Sequence, residues 1–227
     1  MTWVTNIQTN VKKMNESSLK IAIFDCDGVL FNSLEANRAY YNDIAVKSGR
    51  EPLTREELTY CHMHTADESI RYLFRKAKDS MERAFRIAEE LDYSDYLKFM
   101  TIEPGMVEVV SGLRNRIRTA ISTNRSTTMP RLVDIYGLDR LFHQIVSALD
   151  VERPKPDPEG VFKILEREGL DSRNAIYIGD SMVDQVTASN AEMKFIAYKN
   201  SDLKADFYAD NFYEIGRVIE DLLLSSS

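Results

Sequence analysis

Short apolar runs, too brief to be helices, recur along the chain and constrain its fold more than any other feature. They lie at Lys20–Phe24, Arg118–Ser122, Gln144–Ala148, Ala175–Ile178 and Phe195–Tyr198. Each run is apolar and β-branched and is flanked by polar or turn residues, as expected of a buried strand. Segments with helical spacing of apolar residues separate the later runs. Strands that alternate with helices predict an α/β fold whose parallel sheet is built from right-handed βαβ units.

One long segment interrupts this alternation. From residue 33 to about residue 102 the sequence has helical signals and no convincing strand. Two hydroxyl–carboxylate pairs there fit the capping box that begins many helices, Thr54 with Glu57 and Thr65 with Glu68. We therefore expect residues 33–102 to form a helical cap inserted after the first strand. Residues 1–32 and 103–227 would form the α/β core.

Charge and composition exclude several classes of partner. The net charge of −7 argues against nucleic acid or an anionic membrane. The two cysteines, Cys26 and Cys61, are too few for a disulfide framework and fit a reducing compartment. Residues 1–20 contain no apolar run long enough for a signal peptide, and the chain has no apolar stretch long enough to span a membrane. We expect a cytoplasmic protein and leave its oligomeric state open.

Two aspartates directly follow the first predicted strand. Asp25 and Asp27 are two positions apart, so on an extended backbone their side chains point to the same side. The pattern also fits a strand that simply ends in an Asp-Gly turn, because Gly28 comes next. Cys26 should point to the opposite face, into the core, and we do not assign it as a nucleophile.

Three further polar groups follow later strands. They are Ser122-Thr123-Asn124, Arg153-Pro154-Lys155-Pro156-Asp157-Pro158 and Gly179-Asp180-Ser181-Met182-Val183-Asp184. In an open parallel sheet, ligands bind beyond the carboxyl ends of the strands. All four groups are therefore expected to meet at one site.

With these motifs the chain resembles the haloacid dehalogenase-like superfamily, specifically its phosphoglycolate phosphatase-like branch with a helical cap. The resemblance spans about residues 20–224. The four ordered motifs of the family are matched by Asp25-x-Asp27-Gly28, Thr123-Asn124, Lys155-Pro156 and Gly179-Asp180 with Asp184. Asn32 stands where many relatives have an acidic residue, and Glu192 where many have glycine. These departures weaken assignment to a subfamily more than assignment to the chemistry.

The resemblance implies a Rossmann-like core and a covalent phosphatase mechanism. A carboxylate can attack phosphorus and form an aspartyl-phosphate, which divides one difficult step into two. The resemblance assigns this role to Asp25, and to Asp27 the proton transfers to the leaving oxygen and from water. Phosphoryl transfer also needs positive charge around the non-bridging oxygens. Thr123, Asn124 and Lys155 are the implied phosphate-binding residues, and Thr123 and Lys155 also count as catalytic.

Two carboxylates beside a dianionic substrate call for a divalent cation. Oxygen ligands without His or Cys clusters favour Mg²⁺. The family's ligands correspond to the Asp25 side chain, the Asp27 carbonyl and Asp180, while Asp184 would orient that shell or supply an outer ligand. Because Asp184 lies near a predicted helix start, it also fits a purely structural acid.

We expect a Mg²⁺-dependent phosphatase acting on a small phosphorylated metabolite. The first alternative is a phosphomutase of β-phosphoglucomutase type, which would share both aspartates. A phosphonatase would need a cap lysine, a dehalogenase would give Asp27 no purpose, and a non-catalytic binding module would not need four intact motifs. Within the predicted cap, His62, His64 and Thr65 are candidate substrate contacts, although ordinary surface or packing roles fit them better. The substrate itself is left open.

Overall fold

The strands lie parallel in one sheet, but not in the order in which the chain makes them. The structure, a computed structural model, describes residues 19–64 and 66–225, with the backbone alone at Met63. The strands in these residues are β1 (Ile21–Phe24), β2 (Phe31–Asn32), β3 (Thr101–Ile102), β4 (Arg118–Ser122), β5 (Gln144–Val146), β6 (Ala175–Gly179), β7 (Lys194–Tyr198) and β8 (Phe207–Ala209). Six of these described strands form the parallel sheet, in the order β5-β4-β1-β6-β7-β8.

Register brings the carboxyl ends of the central strands to one level. Phe24, the last residue of β1, pairs with Ile121 of β4 on one side and with Ile178 of β6 on the other. The strand order changes direction at β1, because β4 lies on one side of β1 and β6 lies on the other. The residues that follow these three strands therefore emerge beside one another, at the position where open α/β sheets bind ligands.

Side chains of β1 alternate between two cores, one on each face of the sheet. Ala22 and Phe24 belong to one apolar cluster, and Ile21 and Ile23 to the other. The helices described in the structure are α1 (Leu34–Lys47), α2 (Arg55–Met63), α3 (Ala66–Leu73), α4 (Lys78–Glu90), α5 (Met106–Arg114), α6 (Met129–Tyr136), α7 (Glu159–Glu168), α8 (Met182–Asn190) and α9 (Phe212–Ser225). Buried residues of α5, α6 and α9 join the first cluster, whereas those of α7 and α8 join the second. Both faces of the sheet are thus covered by helices, which confirms the predicted α/β fold.

The segment between β2 and β3 contains helices α1 to α4 and a 3₁₀ helix over Tyr93–Phe99. It enters and leaves the sheet side of the molecule through a two-stranded antiparallel ribbon, in which Phe31 pairs with Ile102. Thr54 caps α2 as predicted: its hydroxyl accepts from the Glu57 amide, and the Glu57 carboxylate accepts from the Thr54 amide. The second predicted capping pair involves Thr65, which lies outside the described residues.

The predicted strands agree with the structure except at their ends. The strand expected over Gln144–Ala148 stops at Val146, because Ser147 accepts a hydrogen bond from the Leu149 amide and begins a 3₁₀ turn. The expectation that residues 33–102 contain no strand is wrong at Thr101–Ile102, which is too short for periodicity to reveal. Within the described ranges, no helix combines the length and the apolar character needed to cross a membrane.

Candidate active site

A cleft of about 610 Å³ opens at the carboxyl edge of the sheet. The predicted site residues that line it are Asp25, Asp27, Thr123, Asn124, Lys155 and His64. Arg125 and Ser181 join them from the sheet side, and Tyr93 borders the cleft from the helical segment. The structure therefore brings together residues from six separate stretches of sequence, four of which follow strands of the parallel sheet.

Lys155 connects two buried carboxylates at the base of this cleft. Its Nζ lies 2.6 Å from Asp25 Oδ1 and 2.7 Å from Asp184 Oδ1. Asp184 is completely buried, and only 7% of the Lys155 side chain is exposed. Burial lowers the pKa of the Lys155 ammonium, but Asp25, Tyr177 and Asp184 outweigh burial and raise it well above its ordinary value. Lys155 is thus a fixed positive charge beside Asp25.

The helix that follows β6 holds Asp184 in position. Ser181 caps α8, where it donates from its hydroxyl to Asp184 Oδ2 at 2.5 Å and accepts from the Asp184 amide at 3.3 Å. Tyr177 of β6 lies 3.3 Å from Asp184 Oδ1 through its own hydroxyl. Both carboxylate oxygens of Asp184 are occupied by protein groups, so this residue orients Lys155 and the loop after β6.

Asp25, Asp180 and Asp184 form an acidic cluster in which one oxygen from each lies within 4.8 Å of the others. Burial raises the pKa of Asp25 to about 8, with the Lys155 ammonium acting to lower it and Asp184 to raise it. Burial, together with the Asp184 carboxylate, raises the pKa of Asp180 to about 7. Carboxylates crowded in a dry site hold protons tightly unless a cation replaces them. This donor set fits a hard divalent cation.

The turn after Asp27 leaves room for that cluster only because residue 28 is glycine. Gly28 has φ +78°, and a Cβ there would lie 2.0 Å from Asp180 Oδ2. The turn is held by the Gly28 amide, which donates to the Phe31 carbonyl at 2.9 Å. The Asp-Gly pair is therefore both a turn, as the simpler interpretation of the sequence proposed, and part of the site.

Asp27 is held by an arginine that the sequence analysis missed. Arg125 donates from Nε to Asp27 Oδ2 at 3.0 Å and from Nη2 to Asp27 Oδ1 at 2.5 Å. Its third nitrogen, Nη1, donates to Thr128 Oγ1 at 3.1 Å, and its guanidinium lies 5.8 Å from the centre of the Tyr93 ring. This forked pair fixes the orientation of the Asp27 carboxylate.

Thr123 and Asn124 lie where predicted but differ in what their side chains can do. Thr123 lines the cleft, and its Oγ1 accepts from the Arg125 amide at 3.1 Å, so its hydroxyl proton is directed elsewhere. The Asn124 side chain is committed to the backbone of Lys155: it accepts from the amide at 2.8 Å and donates to the carbonyl at 2.9 Å. The Asn124 side chain therefore positions the Lys155 backbone.

Of the three candidate specificity residues, one lines the cleft, one does not, and one lies outside the described residues. His64 lines the cleft, where its ring stacks on Tyr60 with 3.8 Å between centroids. His62 lies 3.0 Å from the Asn37 amide through its Nδ1, and burial lowers the pKa of its imidazole. Thr65 lies outside the described residues. His64 is thus the better placed of the two histidines to meet a substrate.

Two functional side chains had different chances of being found in the sequence. Arg125 directly follows the Thr123-Asn124 motif, and its pairing with a residue 98 positions away leaves no local pattern. Tyr177 is a polar-tipped residue within the otherwise apolar strand Ala175–Gly179, and its hydroxyl also donates to the Ser122 carbonyl at 3.1 Å. A tyrosine within an otherwise apolar strand is a signal that can be found in the sequence.

Comparisons with known proteins agree with this arrangement. A family model described as haloacid dehalogenase-like hydrolase matches residues 22–198. The chain is 30% identical to the phosphoglycolate phosphatase of Rhodobacter capsulatus, an alignment that covers 85% of this chain and 91% of that protein. It is 26% identical to a protein of Caldanaerobacter subterraneus named putative pyrophosphatase PpaX, with 65% of this chain and 72% of that protein covered.

A solved structure shows the same likeness in three dimensions. A hydrolase of Geobacter sulfurreducens, described as haloacid dehalogenase superfamily subfamily IA, superposes with a TM-score of 0.83 at 36% sequence identity. The superposition covers 92% of this chain and 99% of that one. With the family match spanning most of the chain and a curated relative at 30% identity, the chain belongs to the haloacid dehalogenase-like hydrolases.

Proposed function

We propose that the protein is a Mg²⁺-dependent phosphatase that hydrolyses a small phosphate monoester through an aspartyl-phosphate on Asp25. The observation that carries the proposal is the buried Asp25 carboxylate, which borders the cleft and lies 2.6 Å from the Lys155 ammonium. Within the described part of the chain, no hydrogen bond occupies Asp25 Oδ2. That oxygen is available for attack on phosphorus.

In the first step, Asp25 Oδ2 forms a bond to phosphorus while the bond from phosphorus to the ester oxygen breaks. Asp27, which borders the same cleft, enters this step in its protonated form and gives that proton to the departing oxygen. Lys155 and the Thr123 hydroxyl stabilise the charge on the non-bridging oxygens. The products of this step are the free alcohol and the phosphorylated aspartate.

In the second step, Asp27 accepts a proton from water, and the water oxygen forms a bond to phosphorus. The bond between phosphorus and Asp25 breaks, which releases inorganic phosphate and restores the carboxylate. Arg125 supports both steps by holding Asp27 in one orientation through its two hydrogen bonds. One carboxylate can thus serve first as acid and then as base.

Mg²⁺ would be held by the Asp25 and Asp180 side chains and the Asp27 carbonyl oxygen. When bound, it would supply positive charge to the phosphate oxygens. Asp184 would contribute indirectly, by fixing Lys155 through a 2.7 Å ion pair. The room created by Gly28 beside Asp180 supports this assignment.

We also propose that residues 33–102 act as a cap that supplies substrate contacts, and that residues 1–32 and 103–227 are the catalytic core. His64 and Tyr93 belong to the proposed cap and border the cleft opposite Asp25, which supports this division. The named activities of the relatives make phosphoglycolate and pyrophosphate the first compounds to test as substrates.

The test is phosphate release from these two compounds and from a panel of sugar phosphates, with and without Mg²⁺. We expect turnover that requires Mg²⁺ and that Asp25→Asn abolishes, because the amide cannot act as the nucleophile. Asp25→Asn conserves volume, so a folding control by circular dichroism and thermal unfolding should show an intact protein. Hydrolysis by Asp25→Asn near the wild-type rate, with contaminating phosphatases excluded, would contradict the aspartyl-phosphate mechanism.

A further inference from the structure

The loop that follows β7 contacts the active site through residues that the reaction steps above do not use. β7 is the neighbour of β6 in the sheet, and Ala197 of β7 pairs with Gly179, the last residue of β6. The loop after β7, residues 199–206, therefore emerges beside Asp180, which directly follows β6. Side chains at the start of this loop are in a position to reach Asp180.

Asn200 holds the main chain of Asp180. Its Nδ2 donates to the Asp180 carbonyl oxygen at 2.8 Å, and its Oδ1 accepts from the Asp202 amide at 3.2 Å. Because both ends of the side-chain amide are occupied, the Asn200 side chain is fixed in one orientation. Asp180 packs so closely on Gly28 that its Oδ2 lies 2.0 Å from the position of an added Cβ there. The position of Asp180 must therefore be held accurately, and Asn200 contributes to holding it.

The residue before Asn200 has a strained backbone. Lys199 has φ +51°, in the left-handed region that is unfavourable for residues other than glycine. Such conformations persist where surrounding contacts enforce them. The Lys199 amide donates to the Ala209 carbonyl at 2.8 Å, and its Nζ lies 2.6 Å from Glu103 Oε2. These contacts determine the direction in which the chain turns into Asn200.

Glu103 anchors the ion pair with Lys199 in the interior. Only 7% of the Glu103 side chain is exposed, and its Oε2 also accepts from the Tyr198 hydroxyl at 3.1 Å. A buried carboxylate is costly unless it is paired, so Glu103 requires its partners. Glu103 directly follows β3, where the helical segment rejoins the sheet side, and its amide donates to the Leu30 carbonyl at 3.0 Å. The loop after β7 is thus tied at its first residue to this junction.

We propose that Asn200 is a positioning residue for Asp180, and that the ion pair between Lys199 and Glu103 keeps Asn200 in place. Through its hydrogen bond to the main chain, Asn200 sets the position from which the Asp180 carboxylate would hold Mg²⁺. The proposal rests on the Mg²⁺-dependent function proposed above, in which Asp180 is a metal ligand. Asn200 acts through Asp180 and is not itself a ligand of the cation.

The test is a calorimetric titration of the full chain with Mg²⁺ in the absence of substrate. Asn200→Ala removes the hydrogen bond to Asp180. Asn115→Ala is the matched control, because Asn115 also donates from Nδ2 to a backbone carbonyl, that of Ser111 at 3.2 Å, but lies directly after α5. Lys199→Gln breaks the ion pair, and because 45% of the Lys199 side chain is exposed, this change removes no buried side chain. Thermal unfolding in EDTA checks that each variant folds.

We expect Asn200→Ala to weaken Mg²⁺ binding by about tenfold, as is typical when a metal ligand loses a supporting partner. Asn115→Ala should leave the affinity unchanged. At saturating Mg²⁺ the kcat of Asn200→Ala should approach the wild-type value, with only the Mg²⁺ concentration for half-maximal rate increased. Lys199→Gln should weaken Mg²⁺ binding in the wild type but add little in the Asn200→Ala background, because residues that act through one another give non-additive losses.

Unchanged Mg²⁺ affinity in Asn200→Ala would overturn this inference and leave the proposed phosphatase function standing. An equal loss of affinity in Asn115→Ala, or a kcat of Asn200→Ala that stays low at saturating Mg²⁺, would also overturn it, because either result indicates general damage. Losses that multiply in the double variant would overturn the part assigned to Lys199. Wild-type protein that binds no Mg²⁺ would overturn both this inference and the proposed Mg²⁺ dependence.

Discussion

At the scale of single residues, Lys155 and Arg125 are the cations that contact the carboxylates of the site. Lys155 lies between Asp25 and Asp184, and Arg125 is paired with Asp27. Each cation is itself fixed by another residue, Lys155 by the Asn124 side chain and Arg125 by Thr128. Preorganised charges of this kind stabilise a transition state without having to reorient during the reaction.

The role of Asp27 can be tested through the leaving group. Asp27→Asn keeps the backbone carbonyl proposed as a metal ligand and removes the proton donor. We expect turnover to fall by about 10² to 10⁴, as is typical for the loss of general acid catalysis. The loss should be largest for esters whose alcohols are poor leaving groups, because these most need protonation. Equal losses for aryl and alkyl phosphates in steady-state assays would show that Asp27 is not the acid.

Arg125 should act through Asp27 as a positioning residue. Arg125→Lys keeps the charge but loses the forked geometry, so we expect about a tenfold loss of kcat/KM. In the Asp27→Asn background the same change should have little further effect, because interacting residues give non-additive losses. Arg131→Lys, an exposed arginine on α6, is the matched control and should be silent. Losses that simply multiply in the double variant would show that Arg125 acts independently of Asp27.

Residues that belong to a motif could be predicted, whereas residues whose role depends on a partner distant in the sequence could not. Asp25, Thr123 and Lys155 each follow a predicted strand, so their convergence at one edge follows from parallel topology. The forked contact from Arg125 to Asp27 spans 98 positions and depends on the exact path of two loops. The same holds for the Asn124 side chain, whose two hydrogen bonds to the Lys155 backbone depend on how the two loops meet.

At the scale of elements, the loop from β1 to β2 decides whether the acidic cluster can form. The Leu30 amide donates to the Cys26 carbonyl at 2.9 Å, which closes the turn that carries Asp27. Cys26 itself is buried in the apolar core, as its alternation with the aspartates predicts. The turn anchors one side of the site in the core and leaves the other side open to Asp180.

Gly28→Ala should damage the site more than its backbone strain alone explains. Gly169, at the end of α7, also has positive φ (+64°), but an added Cβ there meets nothing within 4 Å. Gly169→Ala should therefore lose only the roughly 1–2 kcal/mol of a left-handed non-glycine residue. Gly28→Ala should lose at least as much free energy of unfolding in urea and also lose Mg²⁺-dependent turnover, because Asp180 must move. Wild-type activity in Gly28→Ala would mean that Asp180 is not needed where it lies.

Elements with a clear period were predictable, and those without one were not. Arg118–Ser122 is a strand as predicted, and its last four residues are buried, as expected of a central strand in a parallel sheet. The edge strand Phe207–Ala209 was missed, since three residues give too short a pattern. The two-residue strands at Phe31–Asn32 and Thr101–Ile102 exist only because they pair with each other.

At the scale of the whole molecule, the cleft belongs to neither the sheet nor the helical segment alone. Tyr136 of α6 donates its hydroxyl to the Met100 carbonyl at 2.8 Å, and its ring lies 4.7 Å from that of Phe31. These contacts join the sheet side to the two chain crossings. His64 and Tyr93 of the helical segment line the same cleft as Asp25 because this junction joins the two parts of the chain. Sequence periodicity could therefore predict the helical segment but not the shape of the site.

The stability of the whole molecule should respond to Mg²⁺ and pH together. The pKa of Asp25 is raised from 3.8 to about 8 and that of Asp180 to about 7. An acid whose pKa is raised by folding favours the folded state at low pH, and this contribution is lost as pH rises from the unfolded pKa through the folded one. Without metal, these two groups should therefore make the protein less stable as pH rises from about 4 to about 8.

Mg²⁺ should reverse that trend, because it binds the ionised carboxylates and competes with protons. We expect the increase in Tm on adding Mg²⁺ to be small near about pH 6, where protons hold the cluster, and large near about pH 9. Asp180→Asn supplies the control: it removes one titrating carboxylate, so the metal-free protein should lose less stability with rising pH and should gain little from Mg²⁺. Thermal unfolding at several pH values measures all of these quantities. An increase in Tm that is the same at every pH, or that Asp180→Asn leaves intact, would place the cation away from this cluster.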